Sequence, residues 1–265
     1  MNRILMIGCG AMGGAILSGC LSCGLWKKEN VYIKEHSLEA SRRKAEEYGV
    51  SYVENNEVIS SADILLIAVK PDVVPSVLSE ISPFRPRRVI SIAAAVTVDT
   101  LEKGLPEGTE VIRVMPNTPA SVGAGMTAVT AGHFAKEDFL KMTEDIFSSL
   151  GKTAVVTERQ LDALGALSGC GPGYAFVIID ALSDAGVRIG LPRKLATLAA
   201  AQTLYGASKM ILETGKHPAE LRDGVTSPGG TTIAGIHSME RAGVRGALMD
   251  AVVAGLLRSD EMSKK

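Results

Sequence analysis

Two short stretches of this 265-residue chain hold the residue types that could handle an anionic organic ligand. The first, Asp223-Gly-Val-Thr-Ser-Pro-Gly-Gly-Thr-Thr-Ile233, packs hydroxyls and unhindered amides into a loop ahead of an apolar helical pattern. Pro228 fixes one backbone angle, Gly229 and Gly230 open conformations that other residues avoid, and Thr231 and Thr232 supply hydroxyls at the helix start. The first amides of a helix lack partners and its dipole is positive there, so such a turn attracts a carboxylate or phosphate. An ordinary capped loop is the plainer account of the same residues.

The second stretch, Gly8-Cys-Gly-Ala-Met-Gly-Gly-Ala15, lies between the first expected strand and the first helix. That context makes it a dinucleotide loop. Gly8 makes the tight turn, Gly10 lets a pyrophosphate approach the backbone, and Gly13 lets helix and strand pack closely, with Ala11 and Met12 between them. Val69-Lys70-Pro71 ends another strand on the same carboxyl edge, where Lys70 can meet a phosphate or ribose. Glu35, about 20 residues past the glycines, stands where an acid holds the adenosine ribose of NAD. Lys34, His36, Ser37 and Arg42 could equally receive the extra phosphate of NADP, so both coenzymes remain open.

The elements that must position these residues alternate in the first part of the chain. Arg3–Gly8, Val31–Lys34, Ile64–Val69, Arg88–Ala93, Val111–Met115, Met126–Thr130 and Thr153–Thr157 read as strands, with helical stretches between them. Several are apolar throughout, as in a parallel sheet covered on both faces, so residues 1–158 are expected to form a Rossmann-type doubly wound domain. Residues 159–265 change to long helical periods and are expected to form an all-helical domain. In it Gly171-Pro-Gly173 precedes the apolar Tyr174–Leu182, Pro192 opens a helix, and the last helix runs from Val244 to Glu261. A helix as apolar as Tyr174–Leu182 must be enclosed, and a domain of about 105 residues has little depth for that, so it is expected to pack on a second subunit.

Composition narrows the function classes. Hydrophobic residues make up 46% of the chain and net charge is −1, with no basic tract, which argues for a small ligand over nucleic acid or a membrane surface. The apolar Ile4–Ile7 follows the start without a signal-peptide layout and no run approaches a membrane span, so a cytoplasmic protein is expected. Cys9, Cys20, Cys23 and Cys170 are expected to be reduced; the Cys20–Cys23 pair falls inside a helix and lacks redox or zinc context. His36, His133, His217 and His237 are scattered without metal-like spacing, so no metal is expected.

Gly8–Ala15, Ala68-Val-Lys-Pro71, Ser91–Thr97, Arg113-Val-Met-Pro-Asn-Thr-Pro119, Leu167-Ser-Gly-Cys-Gly-Pro-Gly-Tyr174 and Asp223–Ile233, in this order and spacing, resemble pyrroline-5-carboxylate reductase. The last two segments are specific to that family, and the resemblance covers nearly the whole chain. It implies a Rossmann-type domain, a helical dimerisation domain, an active site shared between subunits, a homodimer and often rings of dimers. It also implies reduction of 1-pyrroline-5-carboxylate to L-proline by NADPH or NADH. Carried over by position, the Gly8–Gly13 loop, Ser37, Asn55, Ala68 and Lys70 would hold the coenzyme. Ala93, Ala94, Met115, Pro116 and Asn117 would line the nicotinamide pocket, and Ser227, Gly230, Thr231 and Thr232 would hold the substrate. Cys170 and Gly173 stand where the family usually has Ser and Ala, and Glu35 where many members carry a small residue, which leaves the choice of coenzyme open.

Reducing a C=N bond needs hydride on carbon and a proton on nitrogen. A cyclic imine is basic enough to bind protonated, which suits a pocket of hydroxyls and amides without a His–carboxylate pair. Thr232 is the candidate for a hydrogen bond to the substrate nitrogen, either donating or relaying a proton from water. A β-hydroxyacid dehydrogenase would place a lysine a turn after its glycine-rich segment, but Tyr174-Ala-Phe-Val177 follows Gly173 here. A coenzyme-binding regulator would have no need of the second polar loop.

Overall fold

The computed structural model describes residues 3–54 and 56–263. The first elements in chain order are β1 (Ile4–Ile7), α1 (Ala11–Ser22), β2 (Val31–Lys34), α2 (Leu38–Tyr48), β3 (Ser51–Tyr52), α3 (Glu57–Ser61), β4 (Ile64–Ile67) and α4 (Val74–Ile81). They continue with β5 (Arg88–Ser91), α5 (Val98–Lys103), β6 (Glu110–Met115), β7 (Gly125–Ala131), α6 (Glu137–Ser148) and β8 (Gly151–Val155). Helices follow: α7 (Glu158–Leu164), a wide turn over Gly165–Gly169, α8 (Gly171–Arg188), α9 (Arg193–Thr214), α10 (Pro218–Gly224), α11 (Thr231–Arg241) and α12 (Val244–Ser263). Two compact units result. The described residues up to Cys170, with those from Gly255 onward, form the first; Gly171–Ala254 form the second.

In the first unit the strands form one sheet in the order β3-β2-β1-β4-β5-β6-β7-β8. The order reverses at β1, so the carboxyl ends of β1 and β4 open a crevice. Each strand must serve two cores. Ile4, Met6, Ile64 and Leu66 point to one face, with Ile16, Leu17 and Phe147. Leu5, Ile7, Leu65 and Ile67 point to the other, with Val74, Leu78 and Ile81. Successive side chains alternate faces, so a sheet covered on both sides demands uninterrupted apolar runs.

Three features differ from the sequence reading. β3 is an additional strand of two residues, too short for any alternation to reveal. β7 runs antiparallel to β6. Only residues 116–124 join them, fewer than the dozen or so that a parallel crossover needs, so the chain turns back on itself. Third, Gly171-Pro-Gly173 begins α8 instead of preceding it. Pro172 has no N–H to donate, and the ladder widens just before it, where the Cys170 N–H reaches the Gly165 carbonyl at 3.0 Å.

The second unit packs its helices through small residues. A Cβ on Gly186 of α8 would lie 2.7 Å from the Ala196 Cβ of α9, so the two backbones approach closely. The buried Ser183 hydroxyl pairs with Thr197 Oγ1 at 2.7 Å and accepts from Arg193 Nη1 at 3.0 Å. Much of the unit's apolar surface is left outside, Phe176, Val177 and Leu198 included. Contrary to the expectation that no run approaches a membrane span, Glu158–Arg188 is one continuous helical stretch long and apolar enough to cross a membrane by length and composition.

Candidate functional site

The glycine loop follows β1 at the crevice. Gly8 has φ +87°, and a Cβ there would lie 2.6 Å from the Ala68 carbonyl oxygen. A Cβ on Gly13 would lie 2.7 Å from the Gly8 oxygen and 3.2 Å from the Ala68 Cβ. At Gly10, by contrast, nothing stands within 4 Å of that position. The loop is therefore closed by its outer glycines and open at the middle one. Gly10 is also the N-cap of α1, no side chain caps the helix, and its first turn carries no acid. The leading amides of Ala11 and Met12 are thus left for an outside acceptor, and the open position at Gly10 admits one. This cradle fits the pyrophosphate of a dinucleotide.

Ala68 follows β4 directly beneath this loop and donates its N–H to the Ile7 oxygen at 2.8 Å. Lys70, two residues on, is exposed. The Gly8 N–H donates to the Lys34 oxygen at 2.9 Å, which ties the loop to β2. Glu35 then reaches back, its Oε1 accepting the Cys9 N–H at 2.5 Å. Ser37 is the N-cap of α2; its Oγ accepts the Ala40 N–H at 3.1 Å, and its hydroxyl hydrogen remains to donate. Asn55 lies outside the described residues. Cys9 is buried in the loop, and burial pushes its thiol up to about 11, with Glu35 adding to the shift and Lys44 opposing it. It stays a thiol at neutral pH.

Farther along the same edge, Ala93 and Ala94 follow β5, Met115 ends β6, and Pro116 and Asn117 come next. A cavity of about 250 Å³ is lined by Ala94, Ala95, Met115 and Cys170, and by Gly255 and Arg258 near the end of α12. Ala95 has φ +59°, a conformation that side chains disfavour. Asn117 is buried with both ends of its amide engaged. Its Nδ2 donates to the Ser168 oxygen at 2.9 Å and its Oδ1 accepts the Met126 N–H at 2.9 Å. In this structure it holds three chain segments together.

One arrangement here escaped the sequence reading. Arg113, buried in β6, donates from Nη1 to Glu158 Oε1 at 2.8 Å and from Nη2 to Asp162 Oδ1 at 2.7 Å. Glu158 Oε1 also accepts the Val98 N–H at 2.7 Å. The network joins β6, α7 and the start of α5, and so braces the loop that carries Ala93–Ala95. An arginine inside the apolar run Val111–Met115, with acids one helical turn apart at 158 and 162, was the available signal.

The hydroxyl-rich loop lies in the second unit, between α10 and α11. Thr226 Oγ1 donates to the Arg222 oxygen at 2.6 Å, and the Gly230 N–H donates to the Ser227 oxygen at 3.1 Å. Gly229 has φ +68°, and a Cβ on Gly230 would collide with Ser227 Oγ. The N-cap of α11 is Gly230, with no side-chain capping bond, and Thr231 and Thr232 are its first two residues. Their exposed side chains are therefore not occupied in capping. Ser227, Gly230, Thr231 and Thr232 share one turn of the second unit, and Gly8, Ala68, Ala93, Ala94 and Met115 lie at the carboxyl ends of the strands in the first.

Residues 158–262 match the family model for pyrroline-5-carboxylate reductase dimerisation, and residues 3–95 match that for NADP oxidoreductase, coenzyme F420-dependent. The pyrroline-5-carboxylate reductase of Methanosarcina acetivorans is 43% identical over 267 residues, covering 100% of this chain and 99% of the relative. A solved pyrroline-5-carboxylate reductase from Coxiella burnetii superposes with a TM-score of 0.91 at 34% identity, covering 100% of this chain and 99% of that one. The Plasmodium falciparum pyrroline carboxylate reductase, solved with NADP bound, gives 0.87 at 32% identity, covering 99% and 98%.

Proposed function

This chain belongs to the pyrroline-5-carboxylate reductase family, and from that premise we propose which of its residues carry out the reaction. It is an NAD(P)H-dependent oxidoreductase that reduces the cyclic imine 1-pyrroline-5-carboxylate to L-proline in proline biosynthesis. It carries the family's dimerisation domain. The reduced nicotinamide supplies the hydride when bound.

The Gly8, Gly10 and Gly13 loop, with the Ala11 and Met12 amides, receives the coenzyme pyrophosphate. Ser37, Asn55, Ala68 and Lys70 hold the rest of the adenosine half. Ala93, Ala94, Met115 and Pro116 line the nicotinamide pocket, and Asn117 keeps that wall in place through Met126 and Ser168. Ser227 and Thr231 offer amides and hydroxyls to the substrate carboxylate, Gly230, whose own N–H is on the Ser227 oxygen, shapes the turn between them, and the Thr232 hydroxyl hydrogen-bonds the ring nitrogen, accepting from its N–H when the imine is protonated. The observation that carries this reading is the start of α11: an N-cap glycine without a capping side chain, followed by two exposed threonines. An imine that binds protonated needs only a hydrogen-bonding group at nitrogen, so most of the rate comes from placing the imine carbon against the nicotinamide.

We place the boundary between coenzyme and substrate domains at residue 158, supported by the match that starts there. Rings of dimers, with the active site shared between subunits, are the assembly proposed, in the cytoplasm and without nucleic acid or membrane as partner. The apolar length of Glu158–Arg188 is accounted for by a dimer interface, since it lies wholly within the dimerisation match. The test is oxidation of NADH and NADPH with 1-pyrroline-5-carboxylate, with proline assayed as product. A folded protein that binds coenzyme and forms no proline would remove the assignment.

A further inference from the structure

We infer that Glu35 makes this chain select the coenzyme without the 2′-phosphate, so that it binds NADH more tightly than NADPH. The inference rests on the coenzyme site described above. Glu35 directly follows β2, and its Oε1 is pinned on the Cys9 N–H at 2.5 Å, inside the glycine loop. Its backbone is held as well, the Glu35 N–H donating to Ser41 Oγ at 2.8 Å while that hydroxyl donates to the Ser37 oxygen at 2.9 Å. A carboxylate fixed from both ends cannot swing away when a ligand enters. With Oε1 on the loop, Oε2 is left to accept from a ribose hydroxyl beside the pyrophosphate, and a doubly charged phosphate on that hydroxyl would lie against the carboxylate.

The nearby basic groups do not offset this. Lys34 Nζ is paired with Glu80 Oε1 at 2.9 Å, Arg42 Nε with Glu46 Oε1 at 3.0 Å, and Lys44 Nζ with Glu47 Oε2 at 2.8 Å. His36, Arg43 and Lys70 are exposed, so their fields are screened by solvent and salt. The α2 N-terminus favours a phosphate, but it is worth roughly half a charge, and both Ser37 and Glu39 already serve its first turn. One full, immobile negative charge outweighs that.

The test uses fragments that cannot turn over. Calorimetric titration of the intact protein with ADP-ribose and with its 2′-phosphorylated form should show the unphosphorylated fragment binding at least about tenfold more tightly. Glu35→Gln keeps an oxygen for the Cys9 N–H and removes the charge, and should bring the two affinities within about threefold of each other. Steady-state kcat/KM for NADH over NADPH should follow the same ratio. Equal or tighter binding of the phosphorylated fragment to the unmutated protein overturns the proposal, whether or not the variant folds. So does a ratio unmoved in a folded Glu35→Gln. Binding of neither fragment would overturn the coenzyme site itself, whereas turnover with a preference for NADPH would sink only the selectivity.

Discussion

Phe147 in the first unit is 0% exposed and Leu66 1%, whereas Phe176, Val177 and Leu198 in the second are 65%, 71% and 65% exposed. The residue types are alike and their fates opposite. In the first unit a two-faced sheet lets every strand bury alternate side chains against helices above and below, so a single copy of the chain completes the core. In the second, a few helices meet through small residues such as Gly186, Ala196 and Ser183, and the larger apolar side chains point away from that seam. A surface of that kind is stable in water only when covered. The first unit completes its own core, whereas the second leaves apolar surface of the kind that a dimer covers, in line with its match to the family's dimerisation domain.

The largest effect should come from charging the second unit's apolar surface. Leu198→Asp is expected to yield monomers that still bind coenzyme fragments but lose roughly a hundredfold or more in turnover. Light scattering with calorimetry checks this, and an unchanged dimer mass would break the comparison. In the first unit, Phe147→Ala should act on folding instead, costing about 3–5 kcal/mol by urea melts while leaving the oligomer intact. A change in subunit number there would mean that the two units are not independent in this respect.

Thr232→Ala comes next. Because Gly230 caps α11 without side-chain help, the substitution should leave stability within about 0.5 kcal/mol and lower turnover by about a hundredfold. Equal turnover in a folded variant would withdraw the hydrogen bond from Thr232 to the ring nitrogen. The smallest effect lies on the first unit's surface, at His133, whose Nδ1 meets Glu102 Oε2 at 2.7 Å. The hydrogen bond and charge of Glu102 raise its pKa above the ordinary 6.5. A raised pKa means that the pair's contribution is complete below about 6.5 and fades as pH climbs through the higher folded value. His133 is fully exposed, so stability should scarcely move, but an NMR titration should place its midpoint above 6.5 and Glu102→Gln should return it there. An unshifted midpoint in the unmutated protein would show that the contact does not persist in solution.

Local chemistry was readable wherever neighbours in the chain do the work. The glycine loop after β1, the apolar runs of β4 and β5 and the helix that follows Thr231 depend on residues a few positions apart, so spacing revealed them. The antiparallel turn of β7 was legible in principle from the short link at residues 116–124, but strand composition carries no direction. β3 was hidden because two residues display no period. The Arg113 network went unseen because its partners, Glu158 and Asp162, lie 45 or more residues away in the chain.

Residue order alone thus settled the class of fold, the glycine turn after β1 and the family, because each rests on short-range backbone preference or on a pattern of types. Tertiary contact decided what each polar group is occupied with. Asn117 turns out to be engaged by Met126 and Ser168, Glu35 by the Cys9 amide, and Thr231 and Thr232 by no capping bond. Those outcomes depend on which distant atoms arrive within about 3 Å, since a hydrogen bond is lost over a few tenths of an ångström beyond its normal length. Spacing along a chain does not specify distances of that kind until the sheet and its helices have closed.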